Sequence, residues 1–168
     1  MGHPVIRALI GTALLLGSCT VNYSLSGGSV PASAKTLSVA SLDARAPLCS
    51  PQSAQNITEA LRDLMQAQTP LNLTPRDGDI AYEGAITGYD VQPVAIQANE
   101  TAALNRLTIT VSIHYTNKAD SKADADFTVS RFADYSSTQD LSSVEDGLVQ
   151  DIGKQLAQDI FDRTLGNW

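Results

Sequence analysis

Aromatic side chains make up only 5% of the 168 residues, with a single tryptophan, so any recognition surface built from stacked rings must be small. Two cysteines and two histidines leave little material for a metal centre or a disulfide framework. Basic residues are outnumbered 11 to 18 by acidic ones, for a net charge of −7. Non-specific nucleic-acid binding needs a basic surface to displace counterions, so no nucleic-acid partner is expected. No P-loop, His-Glu-x-x-His or Cys-x-x-Cys pair occurs, and Gly27-Gly28 has no strand before it, so it makes no dinucleotide turn. No cofactor, metal or catalytic residue is expected, and the chain reads as a non-enzyme. What is present is a 43% apolar share, enough for the core of one compact domain.

The first 18 residues read as an address. Arg7 and the amino terminus form a short positive region, and residues 8–16 an apolar run broken only by Gly11 and Thr12. Nine helical residues cover about 14 Å, roughly half a hydrocarbon core, so the run is a secretory signal and not a membrane span. Leu16-Gly17-Ser18-Cys19 resembles a bacterial lipobox, which implies that Cys19 becomes lipidated and amino-terminal. The plainer alternative is an ordinary signal peptide with a chance cysteine. Several acyl chains anchor durably where one does not, because each buried methylene adds ~0.8 kcal/mol. Thr20, not an aspartate, follows the cysteine, and no acidic export run is present, which favours a periplasm-facing anchor on the outer membrane. Cleavage removes Arg7 and leaves 10 basic and 18 acidic residues, a net charge of −8. Cys49 is then a lone thiol in a Pro47 to Pro51 loop, unable to form an internal disulfide.

Residues 19–34, rich in serine, glycine and small side chains, read as a lipidated flexible tether, and residues 35–168 as the folded domain. Residues 36–42 suggest a first strand. Ser50-Pro51 predicts a helix start, Ile57, Leu61, Leu64 and Met65 share one helical face, and Thr69-Pro70 ends it. Strand, helix and strand in this order favour parallel neighbours. After a turn at residues 75–78, residues 79–94 form a long strand whose Gly84 and Gly88 predict a bulge. Residues 105–116 alternate cleanly: Leu107, Ile109, Val111, Ile113 and Tyr115 on one face, Thr108, Thr110, Ser112, His114 and Thr116 on the other. Residues 117–124 are a polar connection, residues 125–135 a further strand, and Ser142-x-x-Glu145 has the form of a capping box. Val144, Leu148, Ile152, Leu156 and Ile160 then recur every four residues towards Gly166. The expected fold is α+β, a two-layer sandwich with two helices on one face of a mostly antiparallel, mixed sheet of about four strands.

Few residues suggest chemistry. Glu83, Asp90 and Glu100 are the material for an acid–base hydrolase, though acidic residues are common here and solvated surface explains them equally. Asp77 and Asp79 around Gly78 hint at calcium but lack a full ligand set. The Thr/Ser strand face would suit water or the polar wall of another protein.

At this point a resemblance enters. Residues 23–27 with Pro31 and Lys35, residues 84–95 (Gly-Ala-Ile-Thr-Gly-Tyr-Asp-Val-Gln-Pro-Val-Ala), residues 99–109, residues 131–135 and the closing Asn167-Trp168 resemble the Bacteroidota branch of the lipopolysaccharide-assembly lipoprotein family LptE. The resemblance covers nearly all of the chain after Cys19. It implies a non-enzymatic lipoprotein lodged inside the LptD barrel of the outer membrane, helping that barrel assemble and deliver lipopolysaccharide to the outer leaflet. Asn99, Glu100, Asn105 and Arg106 become partner-contact candidates, and Lys118 and Lys122 glycolipid-contact candidates. The acidic charge departs from the basic ligand surface of better-studied relatives, so the plug role transfers more readily than direct glycolipid binding. The alternative is an envelope-anchored periplasmic module that binds a lipid or other amphiphile between sheet and helices.

Overall fold

The structure is a computed structural model that describes residues 30–94 and 103–166. Among the described residues two α-helices and six strands form an α+β sandwich, as expected, with two more strands than the sequence suggested. The elements run β1 (Thr36–Val39), β2 (Asp43–Ala44), α1 (Pro51–Gln68), β3 (Asn72–Thr74), β4 (Ile80–Val94), β5 (Leu104–Asn117), β6 (Ala125–Ser136) and α2 (Leu141–Thr164). The sheet order is β3-β1-β4-β5-β6, with β2 beside β4. β1 runs parallel to β3 and β4, whereas β4–β5 and β5–β6 are antiparallel.

α1 begins as the sequence predicts. Ser50 Oγ accepts from the Ser53 amide at 3.0 Å, Pro51 occupies the first turn, and Thr69 ends the helix by donating to the Met65 carbonyl. The first strand stops at Val39, three residues earlier than expected, because Arg62 takes the Val39 carbonyl at 2.8 and 3.1 Å. Leu42 is buried all the same, since its amide donates to Thr58 Oγ1 at 3.0 Å. The β3–β4 turn carries Asp77 at φ 57°, and a Cβ on Gly78 would sit 2.5 Å from the Ser38 amide nitrogen, so only glycine fits there.

β4 and β5 keep their register until an irregularity between Ile86 and Gly88, where the bulge was predicted. α2 starts differently. It begins at Leu141 after Asp140, with no side-chain cap, so Ser142 lies inside the helix and no capping box forms. Glu145 instead accepts from Tyr89 Oη at 2.5 Å. Ile152, Leu156 and Ile160 are buried as expected, but Val144 and Leu148 are only half-buried. Between the layers Leu37, Ile57, Leu61, Met65, Ile86, Ile109, Ile152 and Leu156 are all within 1% of full burial and form one core. No helix among the described residues is long and apolar enough to cross a membrane.

Candidate interaction surface

Strand alternation sorts β4, β5 and β6 into two faces. Leu107, Ile109, Val111, Ile113 and Tyr115 lie under the helices, and Tyr82 Oη meets Thr164 Oγ1 of α2 at 2.7 Å from that side. The opposite face carries no helix among the described residues. Its cross-strand rows are Glu83–His114–Asp126, Ala85–Ser112–Thr128, Gly88–Thr110–Ser130, Asp90–Thr108–Phe132 and Gln92–Arg106–Asp134. Hydroxyls and small side chains fill the middle rows, and Thr110 and Ser130 bond each other at 3.0 Å. Charged and aromatic groups flank them.

At one end His114 Nδ1 lies 2.6 Å from Asp126 Oδ1, with Glu83 directly across the strand. At the other, Arg106 holds Asp134 through Nε at 2.7 Å and Nη2 at 2.8 Å, and its guanidinium lies 3.7 Å from the centre of the Phe132 ring. Hydrogen bonds from Arg106 hold the Asp134 carboxyl below the usual carboxylate range. Phe132 is 47% exposed, a large apolar group on an otherwise polar face. Bidentate pairing and stacking fix both side chains before anything binds, which lowers the ordering cost of a contact there.

The predicted site residues divide. Cys19, Asn99 and Glu100 lie outside the described residues, as does the lipobox. Arg106 stands on the open face, whereas Asn105, its neighbour in sequence, pairs with Pro93 and Tyr135 on the helix side. A single contact surface therefore cannot take both. Lys118 Nζ donates to the Asp77 carbonyl at 2.8 Å, tying the β5–β6 connection to the β3–β4 turn. Lys122 sits exposed in a 3-10 turn (Ser121–Ala123) whose Asp120 accepts the Lys122 amide. Phe132 and Asp134 escaped the sequence reading as contact residues, yet their parity relative to Thr128 and Ser130 marks them as face-sharing.

Of the hydrolase material, Glu100 lies outside the described residues, and Glu83 and Asp90 do not converge. Glu83 and Asp90 are seven residues apart on one strand, roughly 20 Å, beyond the roughly 5–10 Å that a carboxylate pair needs. Asp79 spends its Oδ2 on the Lys35 and Thr36 amides and Thr36 Oγ1, at 2.8, 3.0 and 2.9 Å, which holds its carboxyl below the usual range. It braces the strand start through that oxygen. Among the described residues, no three His, Cys, Asp or Glu side chains gather as a metal site. Cys49 is buried, and burial followed by the Glu145 charge pushes its thiol upward, away from the reactive thiolate. Two concavities do open to solvent. One is a groove between α1 and α2, and the other lies on the open face beside β2. Neither lies between sheet and helices, where an amphiphile was expected.

A family model described as LptE, lipopolysaccharide-assembly, matches residues 34–164. No curated protein sequence matches the chain. Among solved structures, a minor lipoprotein from Acinetobacter baumannii is similar at TM-score 0.50 and 16% identity, over 76% of this chain and 91% of that one. A protein from Xanthomonas campestris is similar at TM-score 0.55 and 10% identity, over 88% and 91%. A putative neuraminyllactose-binding hemagglutinin homolog from Helicobacter pylori is similar at TM-score 0.50 and 7% identity, over 83% and 88%. At these identities the likeness is one of fold.

Proposed function

The chain belongs to the LptE lipopolysaccharide-assembly family, a family of non-enzymatic envelope lipoproteins, and on that premise we propose that it is a plug and assembly partner for an LptD-type outer-membrane barrel. Cys19 carries the lipid, and the domain hangs from it on the periplasmic side of the outer membrane. The observation that supports the plug most directly is the β4–β5–β6 face, which no helix covers among the described residues. A barrel lumen is polar, and a face of threonine and serine hydroxyls exchanges hydrogen bonds with it at no desolvation deficit. The Arg106–Asp134–Phe132 group gives that face an oriented anchor. Lys118 and Lys122, at the connection between β5 and β6, are the proposed glycolipid contacts. Their charge is offset by Asp120 and Asp124, so this contact is the lesser part of the proposal.

Affinity isolation after gentle membrane extraction tests the reading. A barrel protein should co-purify, and Arg106→Ala with Phe132→Ala should weaken its recovery while the domain stays folded. Recovery of the lipoprotein alone from intact membranes refutes the plug. Cys19→Ser should leave the chain in the soluble fraction, and unchanged sedimentation with membranes refutes the anchor.

A further inference from the structure

β6 closes one side of the sheet, and its outer edge pairs with no strand among the described residues. The backbone groups on that edge can be identified. Ser137 donates its amide to the Ala103 carbonyl at 3.0 Å, so residues in step with it (Tyr135, Ala133, Arg131 and Val129) spend their backbone groups on β5. Thr128, Ser130, Phe132 and Asp134 therefore turn N–H and C=O to the free edge. The Thr128 carbonyl points that way, since Arg163 Nη1 reaches it at 3.2 Å.

Natural sheets blunt such an edge with proline, lysine, a bulge or an inward charge. β6 has no proline, glycine or lysine in 12 residues and keeps register with β5 throughout. Its one inward charge, Arg131, is neutralised by Asp159 of α2 at 2.5 Å. Asp159 and Arg163 of α2 reach Arg131 and Thr128, whereas towards the Ser136 end of the edge α2 is unfinished. Leu148 lies 11 residues, or three turns, before Asp159, and Leu141 a further seven, so both share the helix stripe that faces β6. Leu141, Val144 and Leu148 are all only half-buried.

We infer that the β6 edge takes up an extended segment of another protein as a further strand, with apolar side chains turned under Leu141, Val144 and Leu148 and polar ones continuing the hydroxyl face. A row of backbone donors and acceptors that β5 leaves free, with only the Thr128 carbonyl taken by Arg163, suits an extended main chain and not a helix. A second copy of this chain fits poorly. A dyad perpendicular to the sheet would set two α2 helices, each seated over its own β6, about 5 Å apart, where packed helices need roughly 8–10 Å. A dyad along the strands would turn one copy's hydroxyl face onto the other's helix side. Strand addition uses the edge and not the open face, so it goes beyond the plug reading and needs no barrel to test.

The probe is a nine-residue peptide alternating threonine with valine and leucine, with lysine at each end, added to the full-length protein in detergent. Site-resolved amide exchange should slow by roughly tenfold or more at Thr128, Ser130, Phe132 and Asp134, while the amides already bonded to β5 stay unchanged. Ser130→Pro removes an edge-facing donor and should weaken peptide binding roughly tenfold, whereas Ser130→Ala, which loses the Thr110 bond but keeps the donor, should stay within about twofold. Failure of the peptide to bind, equal effects of the two substitutions, or edge amides protected without peptide, by a dimer or by residues 1–29 or 95–102 of this chain, would each overturn the inference. Circular dichroism of both variants confirms that the fold is kept.

Discussion

Two glycines inside α2 test the packing of the helix layer, because the structure says that neither is required. Gly153 faces α1, and a Cβ there would lie 3.5 Å from Ala60 Cβ and 3.6 Å from Ile57 Cα and Cγ1, ordinary contact distances. Gly147 has nothing within 4 Å of such a Cβ. Alanine in a helix is favoured over glycine by about 1 kcal/mol, and a buried methyl adds about 0.8 kcal/mol at Gly153. Gly153→Ala should therefore stabilise by roughly 1–2 kcal/mol and Gly147→Ala by roughly 1 kcal/mol. The sites lie about 9 Å apart along the axis, so the double variant should be close to additive. In urea melts followed by far-UV circular dichroism, the midpoint should rise with an unchanged slope, and Tm by roughly 2–4 °C per kcal/mol. Gly153→Val should do the opposite, because its extra methyls have no room past Ile57. A loss of stability in Gly153→Ala would show that α1 and α2 approach more closely than the 3.5 Å contact allows, and would refute the packing on which the core argument stands.

Three further outcomes follow from titrating and buried groups. Asp79 is held below its unfolded pKa by the Lys35 amide first and Thr36 next, so its stabilisation is complete above about pH 4 and is lost as pH falls through the lower folded value; Asp79→Asn should flatten the acid limb of urea stability below about pH 4. Burial raises the hydroxyl pKa of Tyr82 and of Tyr89, Glu145 adding to it at Tyr89, so their contribution is intact below about pH 10 and is lost as pH climbs from there; Tyr82→Phe should shallow that alkaline decline and cost about 1 kcal/mol at pH 7 through the Thr164 bond. Leu156→Ala should cost roughly 2–5 kcal/mol, since the side chain is fully buried, and Leu148→Ala clearly less; equal losses in chemical denaturation would contradict the half-open β6 side of α2.

How far the sequence could be read depended on whether a residue's partner was local. α1 was bounded correctly because Ser50, Pro51 and Thr69 act within a few residues of themselves, and β5 because period-two alternation over a dozen residues has no helical equivalent. The errors sit where a distant group intervenes. Glu145 looked like the second half of a capping box with Ser142, but Tyr89, 56 residues away, takes its carboxylate, and the helix starts elsewhere. β2 is two residues long, too short to show any period, and Leu42 is buried by an amide-to-Thr58 bond across 16 residues. Leu148 had the right spacing for a core residue, but spacing does not say where the sheet ends, and with β6 as the last strand on that side Leu148 is left half-buried. The contact surface follows the same logic. Asn105 and Arg106 were grouped by adjacency, yet adjacent strand residues must face opposite ways, and applying that rule would have replaced Asn105 with Phe132 and Asp134. Those two side chains reach Arg106 only because β6 lies in register with β5, so strand parity narrows the choice and the pairing settles it.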